Sequence, residues 1–305
     1  MTQAHDHADH TGHDGHGHGH GHDGHALHEH NTDAGMDELL DLDAEVLRDY
    51  WAAALDWVRD AAVSLSPARL LDLGAGTGTG ALGLAQRFPD ATVAALDISA
   101  EALRKLRDKA AGRGLAARVN AVEADLDAGW PDLGTLDLTW ASMSLHHMAD
   151  PAAVLGDVLA ATRPGGLIAV AEFSEPLRFL SADLGDLGRG GADFEDRMMT
   201  RLGAAHAEQM PTLGSAWAPR LTEAGWHVTA ERDFPIDLNP PSDPQAPAYA
   251  RAWFNRLSHG LDGQLEPDDQ ATLADLLDDD GPHSLLRQAN LHIRGTRTVT
   301  VARRD

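Results

Sequence analysis

The sequence contains no cysteine, and it has no long apolar run. Without cysteine, disulfides, thiolate metal sites and a cysteine nucleophile are all excluded. No stretch of about 18 apolar residues is present, so no membrane-spanning helix and no membrane partner are expected. The start of the sequence is polar and rich in histidine, unlike the basic and then apolar start of a secretory signal. Together these absences predict a cytoplasmic protein.

Basic residues are scarce relative to acidic ones. The 305 residues include 24 Lys and Arg against 48 Asp and Glu, which gives a formal net charge of −24. Such a charge repels phosphate backbones, so nucleic acid is not expected as a partner. The length is enough for one large domain, or for one domain with a cap. No oligomeric state is predicted.

Residues 1–34 form an arm of low complexity that holds eleven of the 18 histidines. Gly, Asp and Ala separate these histidines without apolar periodicity, so the arm is predicted not to fold by itself. Neutral imidazoles bind divalent transition metals such as Ni²⁺, Zn²⁺ and Co²⁺, which makes the arm a candidate metal-binding segment. A metal-handling protein is therefore one hypothesis for the function. The candidate ligands are His5, His7, His10, His13, His16, His18, His20, His22, His25, His28 and His30.

A short apolar run followed by alternating glycines organises the remainder of the chain. Gly74, Gly76 and Gly78 precede a helical pattern, and such a strand–glycine–helix turn is suited to a nucleotide-like ligand. Glycine at these positions allows positive φ and a close approach of the backbone. Two ligand classes are open. Residues 76–81 fit the looser dinucleotide pattern G-x-G-x-x-A, whereas residues 72–78 follow the pattern D-x-G-x-G-x-G.

The elements after this turn occur at regular distances. Asp97 closes a second apolar strand, 19 residues beyond Gly78, where a carboxylate can accept both hydroxyls of a ribose. Ser99 is predicted to cap the next helix, and Asp150 another one. The further predicted strands are residues 117–122, 136–141, 167–171, 227–234 and 296–301, and one helix is predicted over residues 37–63 ahead of the first strand.

The motifs between Leu70 and Glu172 together resemble those of class I S-adenosylmethionine-dependent methyltransferases. The resemblance implies a Rossmann-like, seven-stranded, mostly parallel sheet with helices on both faces, an antiparallel last strand and helical cap insertions. It implies S-adenosyl-L-methionine as the cofactor, with Asp125 at the adenine amine and Leu126 beside the ring. The cofactor-binding candidates are Asp72, Gly74, Gly76, Gly78, Asp97, Ile98, Asp125, Leu126, Ser142 and His147.

The catalytic base is left open by the sequence. His147 is a weak candidate and His146 a weaker one, because histidine is the commonest general base near neutral pH. A histidine at this place in the family often forms the wall of the donor pocket instead. Polar residues that follow the fifth strand are candidates for contacts with the acceptor: Glu172, Glu175, Arg201 and His206.

The predicted function is methyl transfer to a small-molecule acceptor by in-line displacement. A metal-handling protein is the alternative, and an NAD(P)-dependent oxidoreductase is a further one. The predicted organisation is a His-rich arm (1–34), an N-terminal helical segment (35–66), a cofactor-binding core (67–172), a lid or cap insertion (173–212), and a C-terminal part of the sheet (213–305) with a helical insertion (240–292).

Overall fold

The structure, a computed structural model, describes residues 35–181, 191–206 and 212–305, with side chains at residues 191, 192 and 206 left out. The helices are α1 Met36–Val46, α2 Arg48–Ala62, α3 Thr79–Arg87, α4 Ala100–Gly112, α5 Pro151–Ala161, α6 Gly191–His206, α7 Trp217–Glu223, α8 Ala246–Gly260 and α9 Pro267–Leu277. The strands are β1 Arg69–Leu73, β2 Thr92–Asp97, β3 Val119–Glu123, β4 Leu136–Ser142, β5 Thr162–Arg178, β6 His227–Leu238 and β7 Ile293–Arg303.

The seven strands form one sheet in the order β3-β2-β1-β4-β5-β7-β6. β1 to β5 pair in parallel, and β7 runs antiparallel between β5 and β6. The strand order reverses between β1 and β4, and ligands of open α/β sheets bind outside the carboxyl ends of the strands at such a point. The predicted Rossmann-like sheet with an antiparallel last strand is confirmed.

Helices pack on both faces of the sheet, as the alternation of side chains along each strand requires. On β1, Leu70 belongs to the larger apolar cluster, which includes side chains of α1 to α4 and α8, whereas Leu71 and Leu73 belong to the smaller cluster with α5 and α7. The largest fully buried side chain is Trp140 of β4, at the centre of the sheet. No helix within the described ranges is long and apolar enough to cross a bilayer.

Helix starts follow the side chains that the sequence offers. The Ser99 hydroxyl accepts a hydrogen bond from the Ala102 amide at 3.2 Å, and the Asp150 carboxylate accepts one from the Ala153 amide at 3.0 Å. Both predicted caps are thereby confirmed. The single helix expected over residues 37–63 is instead two helices, because Leu47 leaves the helical conformation with φ −99° and ψ 27°.

β5 is longer than the five residues predicted for it. It begins at Thr162 and continues past Glu172 to Arg178, because the eleven residues of β7 supply antiparallel partners as far as Arg294. The first residues of the segment predicted as a lid (173–212) therefore extend the sheet. The rest of that segment includes residues 182–190 and 207–211, which lie outside the described ranges, as does the whole arm with its eleven histidines.

Candidate functional site

The glycine turn is fixed to the end of the neighbouring strand by backbone and side-chain bonds. The amides of Gly74 and Ala75 donate to the Leu96 carbonyl at 2.9 and 2.8 Å. The amide of Gly76 donates to Oδ2 of Asp97 at 2.7 Å, and Oδ1 of Asp97 accepts the Ser99 amide at 2.8 Å. The structure thus brings the turn and the predicted ribose-binding carboxylate into direct contact.

Two glycines of the turn are required by what lies beside them. Gly74 has φ +70°, and a Cβ there would lie 2.3 Å from Cβ of Ser144, the residue whose hydroxyl donates to the Leu73 carbonyl. Gly76 has φ +50°, and a Cβ there would lie 2.8 Å from Cδ1 of Leu40 in α1. The absence of a side chain at Gly74 therefore leaves room for Ser144, in the loop after β4. At Gly76 it leaves room for Leu40 of α1.

Asp72 lies beneath the turn rather than on its surface. It is 2% exposed, one of its oxygens accepts the Ala81 amide in the first turn of α3, and Oδ2 has no hydrogen-bond partner among the described residues. Burial, and then the charge of Asp97, raise the pKa of Asp72 to about 7. The buried carboxylate of Asp72 is consequently bonded to the start of α3.

The ends of β2 and β3 carry an apolar side chain and a carboxylate side by side. Ile98 is 62% exposed, which is unusual for a large apolar residue beside a buried strand. The Ala124 amide donates to the Asp97 carbonyl at 3.1 Å and so joins the two strand ends. Asp125 is exposed, and its Oδ1 accepts a hydrogen bond from the Asp127 amide. Leu126, the next residue, is buried.

The histidine pair after β4 divides between a buried and an exposed member. His146 is buried, and its Nδ1 lies 2.7 Å from Oε2 of Glu172 on β5. His147 is exposed, and its ring centre lies 4.1 Å from that of His146. The Oγ of Ser142 is buried without a hydrogen-bond partner among the described residues. His146 therefore has a buried carboxylate as its partner.

Helix α1 covers the glycine turn, and we refer to Met36–Val46 as the cover. Asp41 Oδ1 accepts the hydroxyl of Thr77 at 2.5 Å and also forms an ion pair with Nζ of Lys109. The same ammonium donates to the Thr77 carbonyl at 3.1 Å. A second pair joins Lys105 to Asp37 at 2.9 Å. These bonds hold the cover on the turn through partly exposed charges.

Sequence reasoning missed a buried ion pair behind the cover. The Asp43 carboxylate pairs with the guanidinium of Arg297 and accepts the Tyr249 hydroxyl at 2.6 Å and Nε1 of Trp51 at 2.9 Å. Although burial acts in the opposite direction, the charge and hydrogen bonds of Arg297 hold the pKa of Asp43 below its usual value. The partners are separated by 254 residues in the chain, and no spacing rule connects them.

Arg297 also contacts two aromatic rings. Its Cζ lies 4.7 Å from the ring centre of Tyr50 and 5.5 Å from that of Phe173, a cation–π geometry. Burial raises the pKa of Tyr50 to about 12, so the Tyr50 hydroxyl remains a proton donor at neutral pH. The Tyr50 hydroxyl and Nε of Arg297 are buried and lack partners of hydrogen-bond geometry within the described part of the chain.

Two of the other acceptor-side candidates, Glu175 and Arg201, are exposed or partly exposed. Glu175 accepts the hydroxyl of Thr296 at 2.8 Å, and Arg201 donates to the Gln264 carbonyl at 2.8 Å. The side chain of His206 lies outside the described residues, as do the candidate metal ligands of the arm. Within residues 35–181, 191–206 and 212–305, no group of three or more His, Asp or Glu is arranged to hold a metal ion.

Comparison with known proteins points to one type of domain. Residues 70–166 match the model of a family described as a methyltransferase domain. A malonyl-[acyl-carrier protein] O-methyltransferase of Laribacter hongkongensis is 39% identical over 125 residues, 39% of this chain and 40% of that protein. A demethylmenaquinone methyltransferase of Thermus thermophilus is 38% identical over 130 residues, 41% of this chain and 58% of that protein. The chain thus spans about half the length of these two curated relatives.

A solved structure supports the fold independently of close sequence similarity. The YcgJ protein from Bacillus subtilis superposes with a TM-score of 0.52 at 15% identity, covering 83% of this chain and 99% of that one. The segment that matches the methyltransferase-domain model, residues 70–166, runs from the first strand to the start of β5. It therefore contains the glycine turn, Asp97, Asp125 and the histidine pair. Residues 70–166 of this chain are thus similar to methyltransferase domains.

Proposed function

We propose that this protein is an S-adenosyl-L-methionine-dependent methyltransferase that acts on a small-molecule acceptor. The observation that carries the proposal is the contact of Asp97 with the Gly76 amide, beside the exposed Ile98, inside the segment that matches a methyltransferase domain. Both curated relatives are methyltransferases by name, one an O-methyltransferase and one a demethylmenaquinone methyltransferase. A small organic acceptor also agrees with the net charge of −24.

The residues at the strand ends have the chemistry that an adenosyl ligand needs. Asp97 offers carboxylate oxygens for ribose hydroxyls, and Asp125 an exposed carboxylate for the adenine amine. Ile98 offers an exposed apolar surface for the ring. Gly76 has no side chain, so a ligand that displaces Leu40 can lie directly against its backbone. His147 stays a candidate for the pocket wall, and Ser142 for its floor.

The cofactor supplies a methyl group already activated on a sulfonium, so the chain needs to orient it, exclude water and receive a proton. The turn and Asp97 fix the position of the donor. The cover, which lies over the turn, shields that position from water. Asp72 contributes by supporting α3 rather than by contact.

The test is the affinity for S-adenosylhomocysteine, measured by calorimetry on metal-free protein. Asp97→Asn keeps the size of the side chain and removes the negative charge that would accept hydrogen bonds from the two ribose hydroxyls. We expect the affinity to fall about 10- to 100-fold, since hydrogen bonds to a charged group contribute about 1.5–3 kcal/mol. The matched control Asp90→Asn, at an exposed position before β2, is expected to bind as tightly as the wild type.

The same titrations decide between the cofactor classes. If the wild type binds NADH or NADPH and not S-adenosylhomocysteine, the chain is an oxidoreductase and the proposal is wrong. If Asp97→Asn binds S-adenosylhomocysteine unchanged, the site lies elsewhere. The cytoplasmic location stays a prediction.

For the arm we propose binding of a divalent transition metal, on the basis of eleven histidines within residues 1–34. Equilibrium dialysis with Ni²⁺ and Zn²⁺ compares the full chain with a variant in which these histidines are Gln. Metal bound by the full chain alone supports the proposal. If the variant also loses S-adenosylhomocysteine binding, the arm belongs to the enzyme site; equal metal uptake by both proteins contradicts the proposal.

A further inference from the structure

A buried carboxylate oxygen on β5 has nothing to bind. Glu172 is 3% exposed; its Oε2 is held by Nδ1 of His146, and its Oε1 has no hydrogen-bond partner among the described residues. A buried polar atom without a partner is costly, and most so when it belongs to a charged group. Glu172, where the fold tolerates this cost, directly follows Ala171. Ala171 pairs with Ser142 at the end of β4.

The position of Glu172 in the sheet is the one where an acceptor would meet the donor. β4 is the strand next to β1, whose end carries the glycine turn, and β5 is the strand beyond it. The exposed His147 packs on the buried His146, with 4.1 Å between the ring centres. Further along β5, the chain is half-buried at Phe173 and exposed at Ser174. The carboxylate thus lies just below the surface at the ligand edge.

Other buried polar atoms without partners among the described residues occur on the strands beside Glu172. Ser142 Oγ lies at the end of β4, across from the residue before Glu172. Nε of Arg297 belongs to the β7 residue that pairs with Phe173, and the Tyr50 ring lies 4.7 Å from the Arg297 guanidinium. β4, β5, β7 and α2 therefore each carry a buried polar atom without a hydrogen-bond partner among the described residues.

The charges around the oxygen decide which ligand fits. Arg297 lies on β7 across from Phe173, and its guanidinium is already paired with Asp43. The Glu172 carboxylate is in contact with Nδ1 of His146 through Oε2, and its Oε1 accepts no hydrogen bond from the described residues. An anionic acceptor would meet this charge at close range in a water-poor site, which is repulsive. A group that donates a proton would satisfy it.

We propose that Glu172 binds the methyl acceptor through Oε1 and that the acceptor is a hydroxyl or amine compound rather than a carboxylate; this inference rests on the proposed function. As the acceptor oxygen or nitrogen forms its bond to the methyl carbon, the carbon–sulfur bond breaks and its electron pair stays on sulfur. The proton of the acceptor passes to Oε1 of Glu172, which becomes a neutral carboxylic acid and later releases the proton to water. His146 is a positioning residue, because it fixes the rotamer of Glu172 through Oε2.

The experiment measures binding of two probes of similar size, phenol and benzoate, to protein saturated with S-adenosylhomocysteine, by ligand-observed NMR titration. The wild type is expected to bind phenol about 10-fold or more tightly than benzoate, because one probe donates to Oε1 and the other repels it. Glu172→Gln removes the charge at nearly constant shape. In this variant the ratio of the two dissociation constants is expected to fall about 10-fold or more.

Glu231→Gln is the matched control, since the same change is made on β6 at an exposed residue that accepts the hydroxyl of Thr300. The control is expected to keep the wild-type preference. Affinity for S-adenosylhomocysteine is measured on all three proteins and is expected to agree within about twofold, which also shows that each variant is folded.

The outcomes separate the two proposals. If the wild type does not bind S-adenosylhomocysteine, the proposed function is wrong. If it binds S-adenosylhomocysteine but prefers benzoate, binds phenol no better, or fails to bind phenol, the assignment of Glu172 is overturned while the methyltransferase proposal stands. A wild-type preference that Glu172→Gln leaves unchanged overturns it equally, and the wild-type preference alone tests the inference should the variant not fold.

Discussion

The two sides of the candidate site are built in different ways. On the donor side, the contacts join residues close in the chain: Gly76 to Asp97 across 21 positions, and Ser99 to Ala102 across three. On the cover side, Asp43 pairs with Arg297 across 254 positions. The donor side is therefore specified by local motifs, whereas the cover is held in place only after distant parts of the chain have come together. The predictions below test this contrast, from the largest expected effect to the smallest.

The largest effect is expected at the buried ion pair of the cover side. Asp43→Asn leaves the guanidinium of Arg297 buried without a counter-charge, and removing one partner of such a pair costs about 3–5 kcal/mol. Urea unfolding measures this loss. Glu101→Gln, which removes the exposed partner of Arg104 on α4, is the control and should change the free energy of unfolding by less than about 1 kcal/mol. Equal losses in both variants would mean that the distant pair does not hold the cover.

This contrast also explains what the sequence could predict. The caps Ser99 and Asp150, the order of strands and helices, and the position of Asp97 follow from local spacing, and the caps and the fold are confirmed. The length of β5 did not follow, because it depends on β7, more than 100 residues away. The pairing of Asp43 with Arg297 did not follow either, since single-sequence patterns carry no information on such distant contacts.

Within the site, the sequence predicted the positions of residues at the strand ends better than it predicted which of their side chains are buried. Asp97 is the last residue of β2, as the sequence pattern predicted, and Ile98 follows it. Asp72 belongs to the same motif, yet its carboxylate is buried behind the turn. His146 and His147 differ by one position, and the 3₁₀ turn Leu145–His147 directs one inward and the other outward. Burial of this kind depends on packing, which a motif does not encode.

The next largest effect concerns the donor side and the close packing at Gly74. Ala at this position has an unfavourable φ of +70° and also collides with Ser144, so Gly74→Ala should cost about 2–5 kcal/mol in urea unfolding. Gly114→Ala is a matched control, since it has the same φ of +70° with nothing within 4 Å of the added Cβ. The control should cost only about 1–2 kcal/mol.

The Gly74→Ala result can be sharpened by a rescue. Adding Ser144→Gly to Gly74→Ala removes the collision and leaves the backbone strain, so the double variant should approach the loss measured for Gly114→Ala. If the second change adds its own loss without any recovery, the collision is not the source of the effect.

A smaller effect is expected from the pH dependence of Asp72. Its pKa is raised from 3.8 to about 7 in the folded protein, so between these values the folded state holds a proton that the unfolded state has released. The free energy of unfolding contributed by this group therefore falls as the pH rises from about 4 to about 7, by at most about 4 kcal/mol. Asp72→Asn, which resembles the protonated form, should raise stability at pH 8 by about 1–3 kcal/mol and should flatten this dependence.

Glu195 lies on α6, within the segment predicted as a lid or cap (173–212), and provides a second test of a buried carboxylate. Burial raises its pKa to about 7 as well, against the opposing effect of hydrogen bonds from the amides of Phe179 and Leu180. Glu195→Gln retains one acceptor oxygen for two amides, so it should stabilise the protein at pH 8 less than Asp72→Asn does, or should destabilise it. Equal stabilisation by both variants would show that these amide bonds contribute nothing.

The smallest effect is expected where the two sides meet, at the contact of the cover with the turn. Leu40 occupies the space beside Gly76, so the cover has to move before a ligand can lie against that glycine. Asp41→Asn weakens the bonds to Thr77 and Lys109, which are partly exposed and therefore contribute about 1 kcal/mol or less. The association rate of S-adenosylhomocysteine in stopped-flow experiments should rise by up to about fivefold, and added salt should raise the wild-type rate in the same direction. Glu101→Gln, on the same helix as Lys109 but without contact to α1, should leave the rate unchanged. An equal rate for Asp41→Asn and the wild type would mean that the cover opens without breaking these bonds, and the motion that admits the ligand would then have to be sought in α2 and the buried pair behind it.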